Sequence, residues 1–124
     1  MIYLDTHIVV WLYAGKVEKL SEPAKELIND HEVFISPVVR LELQYLFEIQ
    51  RITDEANEIV FDLSDRIGLK ICDKSFNTIV SSALDFSWTR DPFDRIIVAN
   101  AIINQNILVT KDQNILKNYE KAIW

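Results

Sequence analysis

Acidic residues in four separate segments lie beside apolar runs: Asp5 after "MIYL", Glu42 within "VVRLELQYL", Asp91 and Asp94 ahead of "RIIVANA", and Asp112 after "ILVTK". Oxygen-only donors of this kind suit hard cations such as Mg²⁺ and Mn²⁺, which keep several waters and complete their shell with substrate phosphate. Packed without a cation, such carboxylates repel one another and hold their protons more tightly. Two divalent ions would cancel about four negative charges, hold a phosphodiester, lower the pKa of a water and stabilise the leaving oxygen. Whether the acids meet depends on the elements that carry them.

"MIYLD" reads as a short buried strand ending at Asp5, and "HIVVWLYAG" as a helix stopped at Gly15. "SEPAKELIND" is a second helix with Ser21 as N-cap. "VFIS" is a strand closed by Pro37, and "VVRLELQYLFEIQRI" a long helix carrying Glu42. "TDEANEIVFDLSDRIG" reads as a helix capped by Thr53 and ended at Gly68. After the strand "LKIC" come a helix in "KSFNTIVSSALDFS" and another in "DPFDRIIVANAIINQ", with Asp91 at N-cap and Pro92 at N1. "ILVT" is a strand, "KDQNILKNY" a helical turn and "KAIW" a last strand.

Alternating strands and helices, with strands apolar on both faces, predict an α/β domain with a central, mostly parallel sheet flanked by helices. In such sheets ligands sit outside the carboxyl ends of the strands. Asp5, Glu42, the Asp91/Asp94 helix start and Asp112 all fall at or just beyond that edge. The topology therefore permits the carboxylates to converge.

Composition narrows the class. The chain has 124 residues, 49% of them hydrophobic and 26% charged, as expected of one folded domain over 1–124. A net charge of −6 argues against binding nucleic acid through a broad basic face, but not against a nuclease whose carboxylates hold cations. A single cysteine, Cys72, excludes a disulfide framework and a thiolate metal cage, and points to the reducing cytoplasm. The amino-terminal stretch lacks a signal-peptide pattern. The longest stretch without charge, 96–110, is short and broken by Asn100, Asn104, Gln105 and Asn106, so no membrane span is expected.

Each candidate has a plainer alternative. Asp5 and Asp112 have the positions of turn or cap residues, and Glu42 that of a solvated helix charge beside Arg40 and Gln44. Thr6 is read as support for Asp5. Ser36 and Thr110 end strands, where hydroxyls bond backbone or orient carboxylates. His7 is read as a packing or supporting residue rather than a ligand. Arg90, Arg95 and Lys111 beside the acids are candidates for phosphate contact; the alternative is charge balance, with Asp91 and Arg95 as i,i+4 partners.

Taken together, "LDTHIVVW" at 4–11, "ISPVVRLEL" at 35–43, "RDPFDRIIVANA" at 90–101 and "LVTKD" at 108–112 resemble the PIN-domain ribonucleases. More narrowly they resemble the VapC-type toxins of toxin–antitoxin pairs, in a branch with a DTH start and a DPFDR segment. The motifs occur in the family's order over nearly the whole chain. The resemblance implies a PIN-like fold and an Mg²⁺- or Mn²⁺-dependent endoribonuclease that cuts structured RNA, often transfer RNA, leaving 5′-phosphate and 3′-hydroxyl ends. It also implies inhibition by a small antitoxin, and a homodimer. Carried over by motif, the site acids are Asp5, Glu42 (directly or through water), Asp94 and Asp112, with Asp91 an extra acid of the branch. Leu41 stands where the branch often has a tryptophan.

Other readings stay open: a PIN nuclease of RNA processing without an antitoxin, or a non-catalytic RNA- or protein-binding module. A phosphate-receiver domain fits poorly, because Asp5 lacks an adjacent acid. A dinucleotide-binding domain fails because Gly15 and Gly68 cannot make a glycine-rich phosphate loop.

Overall fold

A computed structural model describes all residues, 1–124. It contains five short strands: β1 (Ile2–Leu4), β2 (Val33–Ile35), β3 (Lys70–Ile71), β4 (Ile107–Val109) and β5 (Ala122–Ile123). Seven helices connect them: α1 (Thr6–Tyr13), α2 (Glu22–Asp30), α3 (Pro37–Glu48), α4 (Ala56–Ile67), α5 (Phe76–Ala83), α6 (Pro92–Ile102) and α7 (Gln113–Asn118). The strands form one sheet in the order β3-β2-β1-β4-β5, and every pairing is parallel. This is the expected α/β architecture, with the sheet wholly rather than mostly parallel.

The central strand explains the rest. Ile2, Tyr3 and Leu4 are all buried, because β1 has a neighbour on each side and helices against it. From β1 the chain steps outward through β2 to β3, then returns across the sheet to place β4 on the other side of β1. The order reverses between β1 and β4, and the carboxyl ends of those two strands flank a natural ligand crevice. Leu4 lies opposite Val109 in the ladder, so Asp5 and Thr110 leave the sheet side by side.

Polar residues at the strand ends start the helices. Ser21 caps α2 by accepting from the Ala24 amide at 3.2 Å. Ser36 caps α3 by accepting from the Val38 amide at 3.3 Å, ahead of Pro37. α6 follows its expected pattern of Asp91 as cap and Pro92 in the first turn. Its middle, Ile97 to Ala101, is buried throughout, as for a helix enclosed on all sides. Within this buried run, the Asn100 amide donates to the Cys72 sulfur at 3.1 Å.

The start of α4 differs from expectation. Thr53 does not cap it. The helix begins after Glu55, whose side chain makes no cap bond. The Ala56 amide instead donates to Gln44 Oε1 on α3 at 3.1 Å. A tertiary contact has replaced the local cap, which sequence spacing within one segment does not reveal. The other end is as read: Gly68 closes α4 in the left-handed region, with φ +70°.

Candidate metal centre

Asp5 is the inner wall of the site. It is 6% exposed and doubly held. Oδ1 accepts from the Thr6 amide at 2.7 Å, capping α1. Oδ2 accepts from the Thr110 hydroxyl at 2.6 Å, a bond from β1 to β4 across the reversal point. The Thr110 oxygen in turn accepts from the Asp112 amide at 3.0 Å. One threonine thus links two of the predicted acids. Asp112 also caps α7, accepting from the Ile115 amide at 3.0 Å, so its cap and site roles coexist.

Glu42 is reached from a different direction. The Thr6 hydroxyl donates to its Oε1, tying the first turn of α1 to α3. Thr6 therefore supports Asp5 through its backbone amide and Glu42 through its side chain, rather than Asp5 alone. Ser36 does neither; it serves as the cap of α3. At the start of α6, Asp91 accepts from the Phe93 and Asp94 amides at 2.8 and 3.3 Å, which commits its Oδ1 to capping. Asp94, half-buried one turn in, has no hydrogen bond of this kind and faces the other acids.

The electrostatics show that the acids share a field. Burial raises Asp5 above its ordinary range, opposed by the bonds from Thr110 and Thr6 and by His7, and reinforced by Asp112. Burial likewise raises Glu42, the Thr6 bond opposing it and Asp5 and Asp91 adding to it. Asp94 is pushed up to about 7, first by burial and then by Asp5, Asp91, Asp112 and Glu42. Carboxylates from four segments thus oppose ionisation of a single group.

The acids do not form a preformed cage: no group of three or more His, Cys, Asp or Glu side chains is close enough to hold a metal ion. An open set fits Mg²⁺ or Mn²⁺, which take few carboxylates and retain waters. The donors are all hard oxygens, and the excess negative charge favours a divalent cation. Asp5, Glu42, Asp94 and Asp112 are the residues that fit this role; Asp91 caps a helix as Asp112 does, but it is exposed where Asp112 is half-buried.

The basic candidates separate. Arg95 does not pair with Asp91. Its guanidinium donates to the carbonyls of Ala83, at 3.1 and 3.2 Å, and Phe86, at 2.7 Å, where α5 ends. Arg90 is exposed and absent from the chain's three ion pairs, Lys25–Glu22, Arg66–Asp62 and Lys70–Glu32. Lys111 lies 5.8 Å from the ring centres of both Trp11 and Trp124. Neither tryptophan stands out by residue type in the sequence. The available sign was position: Trp11 lies one helical turn after His7, and Trp124 follows a strand end as Lys111 does.

A parallel α/β sheet with carboxylates gathered at its reversal point defines a class of domain whose ligand crevice lies outside its strand ends. The chain belongs to the PIN domain family, whose sequence model matches residues 2–121. Its fold is similar to a chain in the crystal structure of VapBC2 from Rickettsia felis bound to a DNA fragment from their promoter. The TM-score is 0.67 at 22% identity, over 99% of this chain and 96% of that one. It is also similar to a chain of a toxin–antitoxin complex from Klebsiella pneumoniae, with a TM-score of 0.64 and 18% identity over 93% and 90%. No curated protein sequence matches it. No helix is long and apolar enough to cross a membrane.

Proposed function

We propose that this chain is a divalent-metal-dependent endoribonuclease, the toxin of a toxin–antitoxin pair, acting in the cytoplasm. The observation that carries the reading is the convergence of Asp5, Glu42, Asp94 and Asp112 at the sheet's reversal point, where burial first and the neighbouring carboxylates second push Asp94 up to about 7. A bound Mg²⁺ or Mn²⁺ supplies positive charge against the scissile phosphate and acidifies water. The chain's own residues prepare for that. Thr110 and the Thr6 amide fix both oxygens of Asp5, and the Thr6 hydroxyl fixes one oxygen of Glu42. Asp94, about half protonated near neutrality, would be ionised by a cation held beside it. In-line attack by water on phosphorus, with the P–O3′ bond breaking and the 3′ oxygen taking up a proton, would leave 5′-phosphate and 3′-hydroxyl ends.

The partners follow the same reading: an RNA substrate such as transfer RNA, a small inhibitory antitoxin, and a second copy of the chain. The family match and the two toxin–antitoxin assemblies of similar fold support it. Leu41, Tyr45 and Ile49, exposed on or beside α3, offer apolar surface for a protein partner.

The test is cleavage of RNA in Mg²⁺ or Mn²⁺ by the wild type, Asp5→Asn and Asp94→Asn. Loss of cleavage in both variants is expected. Equal cleavage by all three would overturn the site.

A further inference from the structure

One wall of the carboxylate site is aromatic and cationic. A cavity of about 260 Å³ is lined by Asp5, His7, Trp11, Lys111 and Asp112. His7 and Trp11 lie one turn apart on α1, with ring centres 6.2 Å from each other. Trp11 and Trp124 lie 5.9 Å apart at an interplanar angle of 55°. The Lys111 ammonium stands 5.8 Å from each of these indoles, and Lys19 lies 5.7 Å from Trp11. Neither lysine takes part in an ion pair, although Asp112 adjoins Lys111 in sequence.

This arrangement separates two chemistries within one cavity. The acids at its floor repel a bare phosphate, while the indole and ammonium at its wall attract an aromatic ring and a phosphate. Close to both indoles, the Lys111 side chain has less freedom to lose when it meets an anion. A nucleobase is the aromatic group that an RNA strand brings, and stacking on tryptophan accepts any base because each has a π-face. A base within an A-form duplex already has both faces stacked, so only an unpaired base can lie against Trp11.

Resting on the ribonuclease reading above, we infer that Trp11, supported by Trp124, is the stacking platform for one unpaired nucleotide next to the scissile phosphate, and that Lys111 holds that nucleotide's phosphate. The site then selects single-stranded RNA, such as a loop, over duplex.

The test uses the full wild-type chain in Mg²⁺ with a single-stranded RNA carrying 4-thiouridine. Irradiation makes a covalent adduct that survives strand cleavage, and adducts are mapped on tryptic peptides. They are expected at Trp11, in the peptide Met1–Lys16, or at Trp124. In parallel, anisotropy compares single-stranded and duplex forms of one sequence. Trp11→Ala should raise the single-strand Kd about five- to 150-fold, with Trp11→Phe restoring most of it and the duplex Kd little changed. If Trp11→Ala fails to fold, as judged by circular dichroism, the adduct map and Trp11→Phe decide. Adducts elsewhere, or duplex bound as tightly as single strand by the wild type, overturn the platform. Cleavage with adducts elsewhere removes the platform and keeps the nuclease; adducts at Trp11 without cleavage keep the platform and remove the nuclease.

Discussion

Asp91 and Asp94 stand three positions apart, yet the structure gives them different surroundings. Asp91 is exposed and spends Oδ1 on two amides; Asp94 is half-buried in the field of four other acids. Asp91→Asn can still cap the helix through its amide oxygen. It should therefore keep more RNA cleavage than Asp94→Asn, read as kcat/KM on one substrate; the reverse order would mean that the ligand is Asp91. Thr6 is the other decisive residue at this scale, because its hydroxyl orients Glu42. Thr6→Val keeps the shape and the amide bond to Asp5 but leaves Glu42 unheld. A loss of about 10- to 100-fold in metal affinity or activity is expected, as for other residues that orient metal ligands. Titration calorimetry with Mn²⁺ checks it.

At the scale of elements, the site depends on how α6 is seated. Arg95 lies in the first turns of α6 and ties it to the last carbonyls of α5. α7 is tied to the segment before α6 by the Asn114 amide, which donates to the Trp88 carbonyl at 3.3 Å. Hydrogen bonds from a charged donor contribute about 1.5–3 kcal/mol. Arg95→Ala should thus lower unfolding free energy by about that amount in urea titration. It should leave the salt dependence of RNA binding unchanged, since the guanidinium is engaged by backbone. A reduced salt slope would return Arg95 to the list of phosphate contacts. The α4 start teaches the same lesson in reverse: Thr53 had the right residue type for a cap, but Gln44 on α3 took the role.

For the molecule as a whole, the carboxylate cluster couples stability to pH and metal. Asp94 rises from an ordinary 3.8 to about 7 on folding. Between those values the folded chain binds more protons than the unfolded one. Its contribution to metal-free stability is therefore fully present below about 4 and is lost as pH rises through about 7. A divalent ion that takes the place of the proton should reverse the trend. Calorimetry is expected to show a larger Mg²⁺-induced rise in Tm at pH 8 than at pH 5. At about 100 times Kd, binding adds about 2.7 kcal/mol. In Asp94→Asn both the Mg²⁺ shift and this part of the pH dependence should shrink; an unchanged Mg²⁺ shift would place the cation elsewhere.

Much of this architecture is written locally. Apolar runs of strand length, Ser21, Ser36 and Asp91 ahead of helices, and Gly68 behind one are short-range patterns, and each appears where its own segment requires it. The edge that carries the acids follows from the strand–helix alternation alone. What Thr6, Gln44, Arg95 and Trp124 do could not be read in that way. Thr6 meets Glu42 from 36 positions away, and Lys111, beyond the end of β4, meets Trp11 on the helix that follows the neighbouring β1. Such pairings arise because β1 lies between β2 and β4, so that the segments following all three strands come to one edge. Residue types and spacing determined which groups were available for chemistry. Packing decided which of them share a field, because desolvation and Coulomb repulsion depend on distances through space that no single segment contains.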